Sequence, residues 1–253
     1  MQIEFEKPRL RFFDKAEYAE QFASGRFLLS TIKRYRQMEE DDPDIGDSYE
    51  GIRTLPAQLL PNLSHESLAE GYAEEIMHSG SNPTIDIPIR IPEVEESVLL
   101  CSTALSVGAL ESAGTDRGRY LAQFGNQYLE FLNRHTHDFT EGYGVIFPEE
   151  EMNEKLGEFA ASNDLAFLSR IVEYGEPRLS NQDIADMRNG CPAIYKFLFH
   201  KRKTYMDQFE FRFALLPQPG EIDGRLSNML DDRGFLTIES EPFKKIELIY
   251  FQE

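Results

Sequence analysis

In the last quarter of the chain, Tyr205-Met-Asp-Gln-Phe-Glu-Phe-Arg-Phe-Ala-Leu-Leu216 alternates apolar and polar side chains. Phe209, Phe211, Phe213 and Leu215 fall on one side, and Gln208, Glu210 and Arg212 on the other. That period of two belongs to a strand and not to a helix. The phenylalanine side can only be a core face. The polar side is either an ordinary solvated face or the floor of a cleft, and the function turns on which it is. Periodicity by itself favours the solvated face.

The rest of the chain reads as alternating short strands and helices. Residues 3–13 form a strand interrupted by Pro8, and Asp14 caps a helix from Lys15 to Ser24 that Gly25 ends. A strand over Arg26–Thr31 and a helical turn over Ile32–Glu39 follow. Further strands are expected over Ile52–Leu60, Thr84–Ile91 and Val98–Leu105. Pro88 assigns the second of these to an edge or kink, and the continuous apolar run of the third assigns it to a sheet centre. Helices are expected over Ser64–His78, about Arg119–Arg134, Glu149–Ala161 and Asn181 to about Lys203, the last interrupted at Gly190-Cys-Pro192. Residues 106–116 are small and flexible in composition. Strands over Gly142–Phe147, Leu165–Tyr174, Gly234–Glu239 and Lys245–Phe251 complete the pattern. No linker, repeat or low-complexity tract divides it. The expected fold is a single α+β domain over residues 1–253, with mixed or antiparallel sheets and flanking helices.

Composition narrows the function classes. The 253 residues carry a formal net charge of −19, which argues against broad duplex-DNA binding because counterion release needs an extended positive surface. Basic residues still cluster at Lys33-Arg34-Tyr35-Arg36 and His200-Lys201-Arg202-Lys203. The two cysteines, Cys101 and Cys191, lack a metal-ligand spacing, and no signal pattern or long apolar run occurs. A cytoplasmic protein without a membrane partner is expected.

No nucleophile elbow, Walker loop, dinucleotide glycine pattern or zinc spacing is present. His135-Thr-His137 reads as surface histidines. The acidic stretch from Glu39 to Gly51 reads as a solvated surface loop, and Asp42, Asp44 and Asp47 match no calcium-loop spacing. On a strand, Gln208 and Glu210 emerge on one face about 6.5–7 Å apart. A glutamate there can accept a ribose hydroxyl and oppose positive charge developing on an anomeric carbon, and the glutamine can orient the attacking group. Cleavage of the N-glycosidic bond of NAD needs those two roles, because its transition state resembles an oxocarbenium ion.

Ala23-Ser-Gly-Arg-Phe-Leu-Leu-Ser-Thr31, Tyr35-Arg36 and Gly46-Asp-Ser-Tyr-Glu-Gly51 resemble the opening of the AbiGi-type abortive-infection proteins and their relatives. The resemblance continues in order through Leu99-Leu-Cys-Ser-Thr103, Tyr120 to Tyr128, Gly142-Tyr-Gly-Val-Ile-Phe147, Val172-Glu-Tyr174, and Lys203 to Arg212. The layout is also similar to ADP-ribosyltransferases, including the CmdT-type antiphage toxins that modify RNA. That similarity implies an ADP-ribosyltransferase-like fold and an enzyme that uses NAD as a substrate. Glu210 would be its catalytic acid, with Gln208 placing the acceptor. Arg11 (or Arg9) would hold the pyrophosphate, Ser30 and Thr31 would be the second-strand pair, and Tyr35 would stack on nicotinamide. It implies a macromolecular acceptor, RNA or protein, and an antitoxin or chaperone as protein partner. No metal is implied. Plain alternatives stand beside these roles: Arg9 and Arg11 pair with surface carboxylates, Ser30 caps the next helix, and Tyr35 is core. Two other functions stay open. One is a non-enzymatic defence sensor presenting Asp47, Tyr49 and Glu50, and the other is a nuclease-like enzyme holding a divalent metal with Asp47, Glu50 and Glu210.

Overall fold

The chain is built around one strand that has three neighbours. In the computed structural model, which describes residues 7–41, 47–56, 86–105, 110–116, 119–124, 141–189, 192–218 and 224–252, that strand is β5 (Val98–Ala104). Its apolar run, Val-Leu-Leu, is what a strand covered on both faces requires.

In chain order the elements begin with β1 (Pro8–Phe13), α1 (Ala16–Ala23), β2 (Arg26–Thr31), α2 (Ile32–Asp41), β3 (Arg53–Pro56), β4 (Asp86–Ile89) and α3 (Pro92–Glu95). After β5 come β6 (Leu110–Asp116), β7 (Arg119–Phe124), β8 (Glu141–Pro148), α4 (Glu149–Ser162), β9 (Leu165–Ile171) and β10 (Glu173–Gly175). The remainder is α5 (Asn181–Arg188), α6 (Ala193–Leu198), β11 (His200–Arg202), a 3-10 helix over Lys203–Gln208, β12 (Glu210–Pro217), β13 (Phe235–Glu239) and β14 (Glu247–Gln252). This is a mixed α/β domain with a large antiparallel sheet and a few helices.

The sheet has eight strands, with β13-β2-β5-β1-β8-β14 along one path and β12 and β9 leaving it at β5. Strand β12 takes one whole edge of β5, from Glu210 opposite Thr103 to Leu215 opposite Val98. A strand has only two edges, so β1 and β2 must share the other. Strand β2 pairs with Leu99 and Val98, and β1 pairs with Ala104 and Thr103. The sheet therefore forks along β5, and the stretch 100–102 lies in the crotch.

Each face of the sheet is covered. On one side Phe27, Leu29, Val98, Leu100, Phe147, Phe211, Phe213 and Leu215 pack against Phe22 of α1 and Met152 and Leu156 of α4. On the other, Ile32, Leu99, Ala214 and Leu216 pack with Leu55, Val94, Leu179, Phe197 and Phe199. Gly25 fixes the turn from α1 into β2. Its φ is +95°, and a Cβ there would stand 2.3 Å from the Ser240 carbonyl oxygen, so only glycine fits.

Several sequence expectations need correction. Gln208 is not on a strand: it ends the 3-10 helix, and Phe209 follows in the left-handed region at φ +46°. The alternation begins at Glu210. Neither face of β12 is solvated, because all eight of its residues are buried. Arg119–Phe124 is a strand paired with Leu110–Asp116 and not the start of a helix. The helical stretch after Asn181 is two helices, broken at Pro192 as its sequence indicates, and the chain after them is extended. The cap of α1 is Lys15, without a side-chain bond from Asp14. The helix expected over Ser64–His78 lies outside the described residues, as do His135, His137, Asp42 and Asp44.

Candidate functional site

At the start of β12, strand pairing puts Glu210 and Arg212 on the face that carries Ala214 and Leu216. Both side chains are buried, with Arg212 only 1% exposed. A charge in that setting must find partners within the protein. Glu210 finds two: Arg212 Nε donates to its Oε1 at 2.6 Å, and Lys201 Nζ donates to its Oε2 at 3.1 Å. Arg212 turns its other nitrogens to Glu50, in a bidentate pair of 2.5 and 2.8 Å, and to the Leu198 carbonyl. Two carboxylates and two cations thus balance in one buried group.

Local structure explains how each member arrives. Strands β10 and β11 pair in parallel, with Tyr174 opposite Lys201, and so bring Lys201 to the head of β12. The Glu210 N–H donates to the Tyr174 hydroxyl at 2.7 Å, which fixes the backbone where the 3-10 helix becomes strand. Gln208 stands off the strand, yet its Oε1 accepts from Lys201 Nζ at 2.7 Å, so one ammonium joins Gln208 to Glu210.

The acidic turn is where the structure departs furthest from the sequence reading. Asp47 and Glu50 are each 1% exposed and are not solvated. Asp47 accepts from Arg202 Nε at 2.6 Å and from the Tyr49 N–H at 3.0 Å. Arg36 Nε donates to the Glu50 carbonyl at 2.6 Å, and its guanidinium also grips Glu95.

Electrostatics divide the two glutamates. Burial alone would raise the Glu210 carboxyl, but Arg212 and Lys201 overcome it and hold the group ionised, well below the usual carboxylate range. For Glu50 burial wins over the pull of Arg212, and its carboxyl is raised. Burial also pushes the Cys101 thiol up to about 12, with Glu210 adding to the effect. Tyr35 is raised well above its ordinary value by burial and by Cys101. Tyr35 and Glu210 both lie close enough to the Cys101 thiol to act on it, so the three side chains gather between α2 and β12.

The other sequence-picked residues gather in part. Arg11 Nη1 donates to the Cys101 carbonyl at 2.6 Å, within the crotch of the fork. Ser30 pairs with Leu99, two residues from Cys101, and its buried hydroxyl has no hydrogen-bond partner among the described residues. Ser30 is not the cap of α2. That role belongs to Thr31, whose Oγ1 accepts from the Arg34 N–H at 3.3 Å. Arg9 is committed elsewhere, paired with Glu149 and laid over the Phe211 ring. Arg11 thus reaches the Cys101 backbone from the face that carries Phe22, Tyr35 and Glu210 lie near the Cys101 side chain on the other face, Ser30 pairs two residues away, and Thr31 caps α2.

Sequence reasoning placed Glu50 only on a sensor loop or at a metal, named Lys201 only within a basic cluster, and gave Tyr174 and Cys101 no role at the site. The period of two was signal enough for the Glu210–Arg212 pair. For Glu50, which lies 162 residues from Arg212, no local signal exists. Among the described residues, no group of three or more histidine, cysteine, aspartate or glutamate side chains is placed to hold a metal ion. No helix among them is long and apolar enough to cross a membrane. Compared with protein-family models, curated proteins and solved structures, the chain matches none.

Proposed function

We propose that the protein transfers ADP-ribose from NAD to a macromolecule, as a toxin or antiphage effector of the kind its sequence resembles. One observation carries the reading: where the sheet forks, Arg11 of β1 reaches the Cys101 carbonyl, and Tyr35 of α2 and Glu210 of β12 lie by the Cys101 side chain. The order of parts also agrees with an ADP-ribosyltransferase-like layout, with a polar residue on the first strand, Ser-Thr on the second and a glutamate on a late strand. Glu210, kept ionised by Arg212 and Lys201, is the anion that would face the ribosyl carbon as the bond to nicotinamide breaks and its electron pair leaves with the ring. The acceptor then supplies the pair for the new bond and gives up a proton. Arg11 would hold the pyrophosphate, Tyr35 would stack on nicotinamide, and Gln208, fixed through Lys201, would place the acceptor.

A protein acceptor is favoured over RNA. The basic residues nearest Glu210 are engaged internally: Lys201 with Glu210, Arg202 with Asp47, and Arg36 with Glu95. The test is nicotinamide release from labelled NAD, with and without EDTA. Chelator-insensitive release by the native protein, lost in a Glu210→Gln variant whose circular dichroism is unchanged, is the expected result. Native-level turnover by that folded variant ends the assignment.

A second reading, a non-enzymatic binding module of a defence system, is favoured by the engagement of both Glu210 oxygens and its 5% exposure. A folded protein that releases no nicotinamide supports it. Chelator-sensitive cleavage of RNA or DNA would instead bring back the nuclease reading, in which Asp47, Glu50 and Glu210 hold a metal.

A further inference from the structure

Three arginines from three separate elements close on one short turn. Arg36 of α2 donates to the Glu50 carbonyl, Arg202 of β11 holds the Asp47 carboxylate, and Arg212 of β12 holds the Glu50 carboxylate bidentately. Within the turn the backbone bonds are local, from Glu50 N–H to the Asp47 carbonyl and from Ile52 N–H to the Tyr49 carbonyl. The attachments just named are side-chain bonds to carboxylates and a carbonyl, of a kind that exchanges readily for bonds to another oxyanion. Tyr49, at the tip, is 40% exposed.

We propose that residues 47–51 are a latch over the Glu210 centre, with the Glu50 carboxylate held as an internal stand-in for an anionic group of the substrate. This rests on the reading of Glu210 as the reacting centre and adds its regulation. Charge supports it. With the turn in place, Glu50 and Glu210 balance Arg212 and Lys201. When the turn leaves, Glu210 alone faces those two cations, and Arg202 is released from Asp47. A chain of net charge −19 then presents a local excess of positive charge beside the ionised Glu210 carboxylate. A phosphate-bearing molecule fits that site, since guanidinium forks hold phosphate as they hold carboxylate. Removal of Glu50 to water also relieves the desolvation that raises its carboxyl.

Hydrogen exchange on the full native chain tests the latch. The Tyr49, Glu50 and Ile52 amides are expected to exchange roughly 100-fold faster than those of Phe213 and Ala214 in β12, through opening short of global unfolding. Millimolar inorganic pyrophosphate should speed the turn amides further, because it binds the open form, and leave β12 unchanged. Asp47→Asn, which loosens the outermost tie, should speed the same amides about 10-fold without pyrophosphate. Turn amides that exchange in step with β12, or that ignore pyrophosphate, overturn the latch. An opening, pyrophosphate-sensitive turn in a protein that releases no nicotinamide leaves the latch standing and removes the NAD reading. Nicotinamide release by a protein whose turn stays shut does the reverse.

Discussion

The buried charge group makes Glu210→Gln more than an activity test. The substitution removes one negative charge from a group of two carboxylates and two cations, so Arg212 and Lys201 are left against Glu50 alone. Breaking a buried pair from one side costs about 3–5 kcal/mol, chiefly because the surviving charge stays buried. Lys201→Met removes a cation from the same group and should cost a similar amount, about 3 kcal/mol. Combining the two restores neutrality, with Glu50 and Arg212 still bidentate and the new amide able to accept from Arg212 Nε. The double variant should therefore be about 2 kcal/mol more stable than additivity of the single changes would give. Urea unfolding followed by circular dichroism reads this directly. With a slope of about 3 kcal/mol/M, each single change moves the midpoint down by roughly 1 M at unchanged slope. Additive single effects, or single effects below about 1 kcal/mol, would refute the picture of a mutually compensated group.

Two further outcomes follow from single positions. Ser30→Ala removes a buried hydroxyl that has no partner among the described residues, and should stabilise the protein by about 1 kcal/mol while raising the KM for NAD. A loss of stability would mean that the hydroxyl is bonded in the folded protein. His200 is pulled down to about 3, by burial first and then by Arg53, so the folded state leaves it neutral where the unfolded chain binds a proton. Stability from this source is complete above the ordinary histidine range, near 6.5, and falls as pH falls toward the folded value. Between about pH 6 and pH 5 the native protein should lose about 1 kcal/mol more than His200→Gln does in urea titrations. Parallel losses in the two proteins would exclude this role for His200.

The sequence was informative where a residue's environment is set by its near neighbours. The Val-Leu-Leu run of β5, the alternation of Phe211, Phe213 and Leu215, and Gly25 after α1 each reflect a local requirement, and each stands as read. The exceptions share a cause. Gln208 has the right period for the strand, but Phe209 turns left-handed and takes it off, a choice made by the chain entering from Lys201 and Tyr174. Arg119–Phe124 puts Tyr and Phe four apart, a helical spacing, yet pairs with Leu110–Asp116 as a hairpin, and six residues are too few for a period to decide. The acidic turn looks solvated because its neighbours are acidic. Asp47 and Glu50 are buried because Arg202 and Arg212, 155 and 162 residues away, meet them there. The approach of Arg11, Tyr35 and Glu210 to one cysteine is likewise a property of strand order, which short-range pattern does not encode.

The forked strand also sets a timetable. Strand β5 can complete one edge early, with β1 and β2, but its other edge waits for β12, since Thr103 pairs with Glu210. At about 5–20 residues per second, the ribosome needs roughly 8–30 s between making Glu50 and making its partner 162 residues on. In the later part of that interval, once β5 is made, the nascent chain carries an apolar central strand with one bare edge, and a turn whose carboxylates are still in water. An open edge of this kind recruits other strands. Synthesis that stalls before β12 should therefore yield an aggregating species, and a chaperone that covers β5 for those seconds would raise the yield of folded protein.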